Sequence, residues 1–321
     1  MEPLVADTTQ LDRGRLERAA ESGDLIQIRA LAAKGTDIDG KDAHGTTPLM
    51  KACLWNQHEV AEFLMKLGAD VNARESSFGC TALTFAVLGG NLELVKLLLA
   101  HGAFPNSTTR VGGTALMAAC RENHRGIVEL LLEHGADISC RDSRGFTALV
   151  EASREGCVDI VSMLLGRGAD PNEMDGDERT PLFWAAFKGH TETVRCLLDS
   201  AAVADMSDKE GNTPLIWACF RNHVEVVKLL LEFGADVNYE TQSGYSPLLA
   251  STAAGHLDVV RLLLDWKADI TSTNDQGYTA LSIASSAHRT AIMRTLLLTH
   301  LSQTKFFALH VPDTGNPGRV D

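Results

Sequence analysis

Hydrophobic positions along the chain return with a long, fixed period. Leu16, Leu49, Leu83, Leu116, Leu149, Leu182, Leu215, Leu248 and Leu281 are spaced by 33 residues, with one step of 34. Each after the first follows a hydroxyl and then Pro or Ala: Thr47-Pro48, Thr81-Ala82, Thr114-Ala115, Thr147-Ala148, Thr180-Pro181, Thr213-Pro214, Ser246-Pro247 and Thr279-Ala280. That pair predicts a helix start. The hydroxyl oxygen accepts from first-turn N–H groups, and proline at the first helical position lacks only a donor that has no partner there. Seven residues after the leucine stands Gly23, Asn56, Gly90, Asn123, Gly156, Gly189, Asn222 or Gly255. These residue types most readily take a left-handed C-cap, so the helix is short. A second helix follows, with a leucine fifteen residues after the first: Leu31, Leu64, Leu98, Leu131, Leu164, Leu197, Leu230, Leu263 and Leu296. Aliphatic residues three and four positions earlier, such as Val226 and Val227, complete an amphipathic stripe. Glycine stops this helix at Gly35, Gly68, Gly102, Gly135, Gly168 and Gly234, and a turn such as Ala235-Asp236-Val237-Asn238 leads to the next repeat.

The segments Gly-x-Thr-Pro-Leu, Ala-x-x-x-Gly-His, Val-Val-x-x-Leu-Leu and Gly-Ala-Asp-Val-Asn resemble the ankyrin repeat, nine times in register from Leu16 to about His300. The resemblance implies an all-α repeat solenoid of stacked helix–turn–helix repeats with hairpin-like turns. First helices and turns would line a concave face, and second helices a convex one. Since such repeats bury their cores only against neighbours, one ankyrin-repeat domain is expected over residues 11–300, with its first and last repeats as caps. Residues 1–10 are expected to be a flexible N-terminus and 301–321 a partly disordered tail. Phe306, Phe307 and Leu309 offer cover for the last repeat, and disorder is expected beyond Pro312. The sequence also departs from the family. The histidine usual after Thr-Pro-Leu is replaced throughout, as by Met50, Met117, Phe183 and Ile216, and the stop glycine becomes Ala201 and Lys267.

Composition narrows the function. Forty-two Asp and Glu against 29 Lys and Arg give a net charge of −13. An acidic surface disfavours nucleic-acid phosphates and anionic membranes, so neither is expected as a partner. Seven cysteines without a CxxC pair read as reduced thiols in a cytoplasmic, or also nuclear, protein. No phosphate-cradling loop, Gly-x-Ser-x-Gly elbow or zincin motif appears, so no catalytic residue and no cofactor is expected. His124, His190, His223 and His256 hold one position in four repeats. Stacked repeats about 10 Å apart cannot share a metal at about 2 Å, so each is expected to cap its own second helix or bond a loop carbonyl, with no metal site. Cys53, Cys120 and Cys219 fill a small-residue position and read as buried packing.

The informative stripe is the first-helix face turned from the second helix. At 100° per residue, positions two, five and six after the buried leucine project onto the concave surface. They give Lys51, Leu54 and Trp55; Phe85, Leu88 and Gly89; Ala118, Arg121 and Glu122; Glu151, Arg154 and Glu155; Trp184, Phe187 and Lys188; Trp217, Phe220 and Arg221; and three alanines in the eighth repeat. An apolar patch and a larger aromatic one would thus flank a charged centre. Lys51, Leu54, Trp55, Phe85, Leu88, Trp184, Phe187, Lys188, Trp217, Phe220 and Arg221 are the candidate partner-binding residues.

The expected function is a protein–protein interaction module or scaffold, a monomer that holds a partner peptide or domain in its groove and is not itself an enzyme. The alternative is an adaptor or regulatory subunit of a ubiquitin-ligase, kinase or phosphatase complex. The resemblance also implies a modification: turns of this family are substrates of an asparaginyl hydroxylase that reads Leu, five residues, Asp, one residue, Asn. Leu64…Asn72, Leu164…Asn172 and Leu230…Asn238 match it, making Asn72, Asn172 and Asn238 hydroxylation candidates.

Overall fold

The computed structural model describes the backbone from residue 4 to 310 and side chains from 11 to 302. The expected cover by Phe306, Phe307 and Leu309 and the expected disorder beyond Pro312 lie outside what it describes. Two compact bodies make up the chain. One runs to Pro181 and takes in Asp199–Ala201; the other comprises Leu182–Leu198 and the described residues from Ala202 onward.

In the N-terminal body the helices come in pairs: α1 (Leu4–Ser22) with α2 (Leu25–Ala33), α3 (Pro48–Leu54) with α4 (His58–Lys66), α5 (Ala82–Leu88) with α6 (Leu92–Ala100), α7 (Ala115–Arg121) with α8 (Arg125–Glu133), and α9 (Ala148–Glu155) with α10 (Val158–Gly166). The C-terminal body holds α11 (Pro181–Lys188), α12 (Thr191–Asp199), α13 (Pro214–Phe220), α14 (Val224–Glu232), α15 (Pro247–Ala254), α16 (Leu257–Asp265), α17 (Ala280–Ser286) and α18 (Thr290–His310). Within each body first helices pack on first helices, as α7 on α9 and α13 on α15, and second helices on second helices. No strand occurs among the described residues, only the isolated bridges Thr108–Thr114 and Thr273–Thr279.

Local chemistry sets these boundaries. Thr47, Thr81, Thr114, Thr147, Thr213, Ser246 and Thr279 each accept a hydrogen bond from the N–H three residues on. Asn56, Asn123 and Asn222 end their first helices at φ near +60°, where an L-residue is least disfavoured as Asn. Ala201 and Lys267 take φ +65° without that excuse. The leucines of the 33-residue period form the core: all nine on second helices are at most 3% exposed. Each such side chain contributes about 1.5–3 kcal/mol of burial, and the period of the sequence is the period of the core.

Two sets of bonds join consecutive repeats. At the turn tips the backbone pairs directly, as Arg110 N–H to Phe78 O at 2.7 Å and Asp275 N–H to Ser243 O at 3.2 Å. At the start of second helices a side chain reaches back to the end of the preceding first helix. Gln57 Nε2 donates to Glu21 O at 2.9 Å, His223 Nε2 to Phe187 O at 3.2 Å and His256 Nε2 to Phe220 O at 3.0 Å, while Arg289 does the same to Thr252 O. The histidines at 124, 223 and 256 do not cap their own helices. Of the two roles expected from the sequence, His223 and His256 take the carbonyl bond, with Nε2 protonated.

Candidate functional site

In the C-terminal body the first helices carry an interlocked aromatic array. Phe183, Trp184 and Phe187 come from α11, Trp217 and Phe220 from α13. The spacing i, i+3 sets Trp184 against Phe187 (ring centroids 6.0 Å) and Trp217 against Phe220 (5.7 Å). Between the two helices Phe187 meets Trp217 edge-on at 5.1 Å, and the fully buried Phe183 meets Trp217 at 6.3 Å. Trp184, Phe187 and Trp217 are therefore half-buried, while Phe220 stays 46% exposed. Arg221 lies over the Phe187 ring at 4.2 Å, a cation–π contact, and Lys188 is exposed beside it in sequence. A pocket of about 300 Å³ opens next to Trp217 and Phe220, closed by Ile216, Tyr245, Ala250 and Ala253. The Trp217 indole N–H is buried with no acceptor among the described residues. Burial pulls the neighbouring His223 imidazole below its ordinary value. The bond to Phe187 O opposes this, and Arg221, His190 and His256 add to the lowering.

The N-terminal body presents a different surface. Trp55 is 58% exposed, Leu54 and Leu88 are exposed and Phe85 is half-buried. Lys51 is less open than its place on the stripe implies. It pairs with Glu21 at 3.0 Å and Asp42 at 3.3 Å; burial works against its charge, yet these two carboxylates hold its ammonium above the ordinary value.

The expected charged centre is largely paired with itself. Glu151 is buried between Arg144 and Arg154, each at 3.1 Å, and Arg144 also takes Asp142 at 2.8 Å and lies over Phe146 at 4.1 Å. Desolvation raises the Glu151 carboxyl despite Arg154, Arg144 and Arg121. Arg121 pairs with Glu122. The position two after the buried leucine is more enclosed than the 100° argument expects: Ala118, Glu151 and Ala250 are buried there. Neighbouring first helices stack closely, and that position faces the stack.

Asn72, Asn172 and Asn238 all sit in turns and tie one repeat to the next. Asn72 Nδ2 donates to Gly102 O and its Oδ1 accepts from Phe104 N–H, both at 2.9 Å. Asn172 donates to Ala201 O at 3.2 Å, and Asn238 accepts from Asp269 N–H at 2.8 Å. Cys53, Cys120 and Cys219 are fully buried, and burial pushes the Cys53 thiol up to about 12, away from thiolate chemistry. Among the described residues no group of three or more His, Cys, Asp or Glu is placed to hold a metal ion, and no helix is long and apolar enough to cross a membrane.

The sequence stripe omitted Phe183, Ile216 and Tyr245. Phe183 carried a signal, standing where the family usually has histidine, in the run Pro181-Leu182-Phe183-Trp184. Tyr245 carried none, because only the stacking of α15 brings its turn to the pocket.

Comparison with known proteins agrees with the repeat geometry. A family model described as ankyrin repeats (3 copies) matches residues 16–109, 71–142, 105–175, 149–241 and 234–305. The putative ankyrin repeat protein FPV031 of fowlpox virus is 39% identical over 108 residues, 33% of this chain and 32% of its own length. The putative E3 ubiquitin-protein ligase XBAT34 of Arabidopsis thaliana is 42% identical over 80 residues, 24% of this chain and 21% of its own. Chicken inversin is 42% identical over 83 residues, 26% of this chain and 7% of its own. The chain thus spans a third or less of the length of these relatives.

Proposed function

The chain belongs to the ankyrin-repeat family, whose repeats are protein-interaction modules, and from that premise we propose that it binds a protein partner through the first-helix faces of its two bodies. The aromatic array of the C-terminal body carries this reading. Four partly exposed aromatic rings on two neighbouring first helices, backed by the buried Phe183 and with a pocket opening beside Phe220, are more apolar surface than a solvent-facing stripe needs. A partner's apolar side chain entering that pocket is desolvated by Trp217, Phe220 and Ile216. A backbone carbonyl from the same segment, met by a small shift of the indole, would relieve the orphaned Trp217 N–H, a group that costs about 1–3 kcal/mol while unpaired. Arg221 and Lys188 favour a carboxylate nearby.

Binding is tested with Trp217→Ala and Phe220→Ala in affinity capture of the native partner from source cells, followed by isothermal titration of that partner. A loss of about 2 kcal/mol or more, roughly 30-fold, is expected for Trp217→Ala. Unchanged affinity in both variants would move the binding face elsewhere. The finer reading, an adaptor or regulatory subunit of a ubiquitin-ligase, kinase or phosphatase complex, draws on relatives named as E3 ubiquitin-protein ligases, and co-purification of ligase subunits separates it from a stand-alone scaffold. Hydroxylation at Asn72, Asn172 and Asn238 is part of the same proposal. A mass increase of one oxygen on the three tryptic peptides from animal cells supports it, and unmodified peptides remove it.

A further inference from the structure

The last repeat breaks two rules that the other repeats keep. From Gln276 to Pro312 the sequence has no Asp or Glu, while it carries Arg289, Arg294 and Lys305 in a chain of net charge −13. Several of its leucines are also uncovered, although Leu296 is buried. Leu281 stands where Leu49, Leu83, Leu116, Leu149, Leu215 and Leu248 are at most 1% exposed, and it is 36% exposed. On α18, Leu297 is exposed and Leu298 is 57% exposed, at a helical spacing from the exposed Arg294. Between α17 and α18 lies a cavity of about 230 Å³ lined by Ile270, Leu281, Leu296 and Leu297 together with two threonines and His300. This face continues the interface on which α15 packs against α17 and α16 against α18. Inside this body such a face is covered by the helices of the next repeat, as α15 and α16 are by α17 and α18.

We infer that the α17–α18 face docks an acidic amphipathic helix of a partner protein, with leucine-like side chains at i, i+3 or i+4 and i+7 filling the cavity and Asp or Glu flanking them toward Arg294. Other occupants fit worse. Residues 311–321 contain two prolines, two glycines and only Val311 and Val320 as aliphatic residues. A second copy meeting this face with the same face would set Arg294 against Arg294, and its α1 exposes Arg15 and Arg18. The face is separate from the aromatic array, so it stands whether or not that array binds a partner.

The probe is a fluorescent synthetic helix with leucines at that spacing and glutamates between them, titrated into the full chain beside a twin in which every glutamate is lysine. The glutamate peptide should bind saturably, and the lysine twin at least about tenfold more weakly. Leu297→Glu should weaken the glutamate peptide by a similar factor. Arg294→Glu, a surface change that leaves the melting temperature in place, should reverse the preference between the two peptides, and Trp217→Ala should change neither affinity. Binding of neither peptide, equal binding of both, or an unchanged preference in Arg294→Glu would overturn the inference. So would self-association in sedimentation velocity, or flotation with phosphatidylserine–phosphatidylcholine vesicles, if Leu297→Glu abolished either.

Discussion

The two bodies present apolar first-helix faces by opposite means. In the C-terminal body Trp184, Phe187, Trp217 and Phe220 hold one another in edge-on contact, with Arg221 laid across Phe187. In the N-terminal body Trp55 and Leu54 stand out from the end of α3, with more than half of the tryptophan surface exposed. An interlocked array is pre-organised, because its side-chain entropy is already lost in folding and not at binding. A protruding side chain retains that freedom, and its contribution to a complex is reduced by ordering it. Aromatic residues on the first-helix stripe can thus be scaffold and exposed surface together, or exposed surface alone.

The largest effect separates these cases. Trp217→Ala removes a half-buried ring in contact with Phe183, Phe187 and Phe220 and should cost about 3 kcal/mol of stability, near the lower end of values for truncated core aromatics. Trp55→Ala should stay within about 0.5 kcal/mol. Urea unfolding checks both, and equal costs would break the contrast. If Trp55→Ala nonetheless weakens partner binding, Trp55 is a binding surface without a scaffold role.

Next in size is Arg221→Gln, which removes the cation over Phe187 and should cost about 0.5–1 kcal/mol, read from the same unfolding curves. Loss of binding without that stability cost would assign the guanidinium to the partner instead of to its own ring.

The smallest effect is a pH dependence confined to one body. His223 is held below its ordinary value, so the unfolded chain takes up its proton first as pH falls. The stability tied to neutral His223 is complete above its unfolded value near 6.5 and is lost as pH drops through the lowered folded value. Gln57 makes the equivalent bond in the N-terminal body without a titratable group. His223→Gln should therefore keep the bond to Phe187 O and flatten the acid limb of unfolding below about pH 6.5, the ordinary histidine value. An unchanged limb would assign the acid sensitivity to other groups.

Much of this architecture was legible in the residues. A hydroxyl before Pro or Ala, Asn or Gly seven residues past a leucine and a second leucine fifteen residues on are local signals, and each fixes its own helix end. The left-handed backbone at Ala201 and Lys267 could be read from the glycines they replace. The candidate faces were legible only in part. Helical geometry located Trp55 and Phe220 on an open stripe, but not that Glu151 would be clamped by Arg144 from the preceding turn or that Phe187 would wedge against Trp217. The first depends on how a turn folds back over the helix that follows it, the second runs between repeats, and helical periodicity encodes neither.

The reach-back bond has a consequence for how such an array changes its copy number. His223 meets Phe187 O and His256 meets Phe220 O, so each bond joins the same kind of donor to the same kind of residue one repeat earlier. If an unequal crossover removed residues 191–223, His256 would find Phe187 in place of Phe220, and the new junction would be chemically the same as the old one. Loss or gain of a whole repeat therefore leaves no orphaned donor at the seam. A deletion that starts or ends inside a first helix and is not a whole number of repeats would break the register of these bonds.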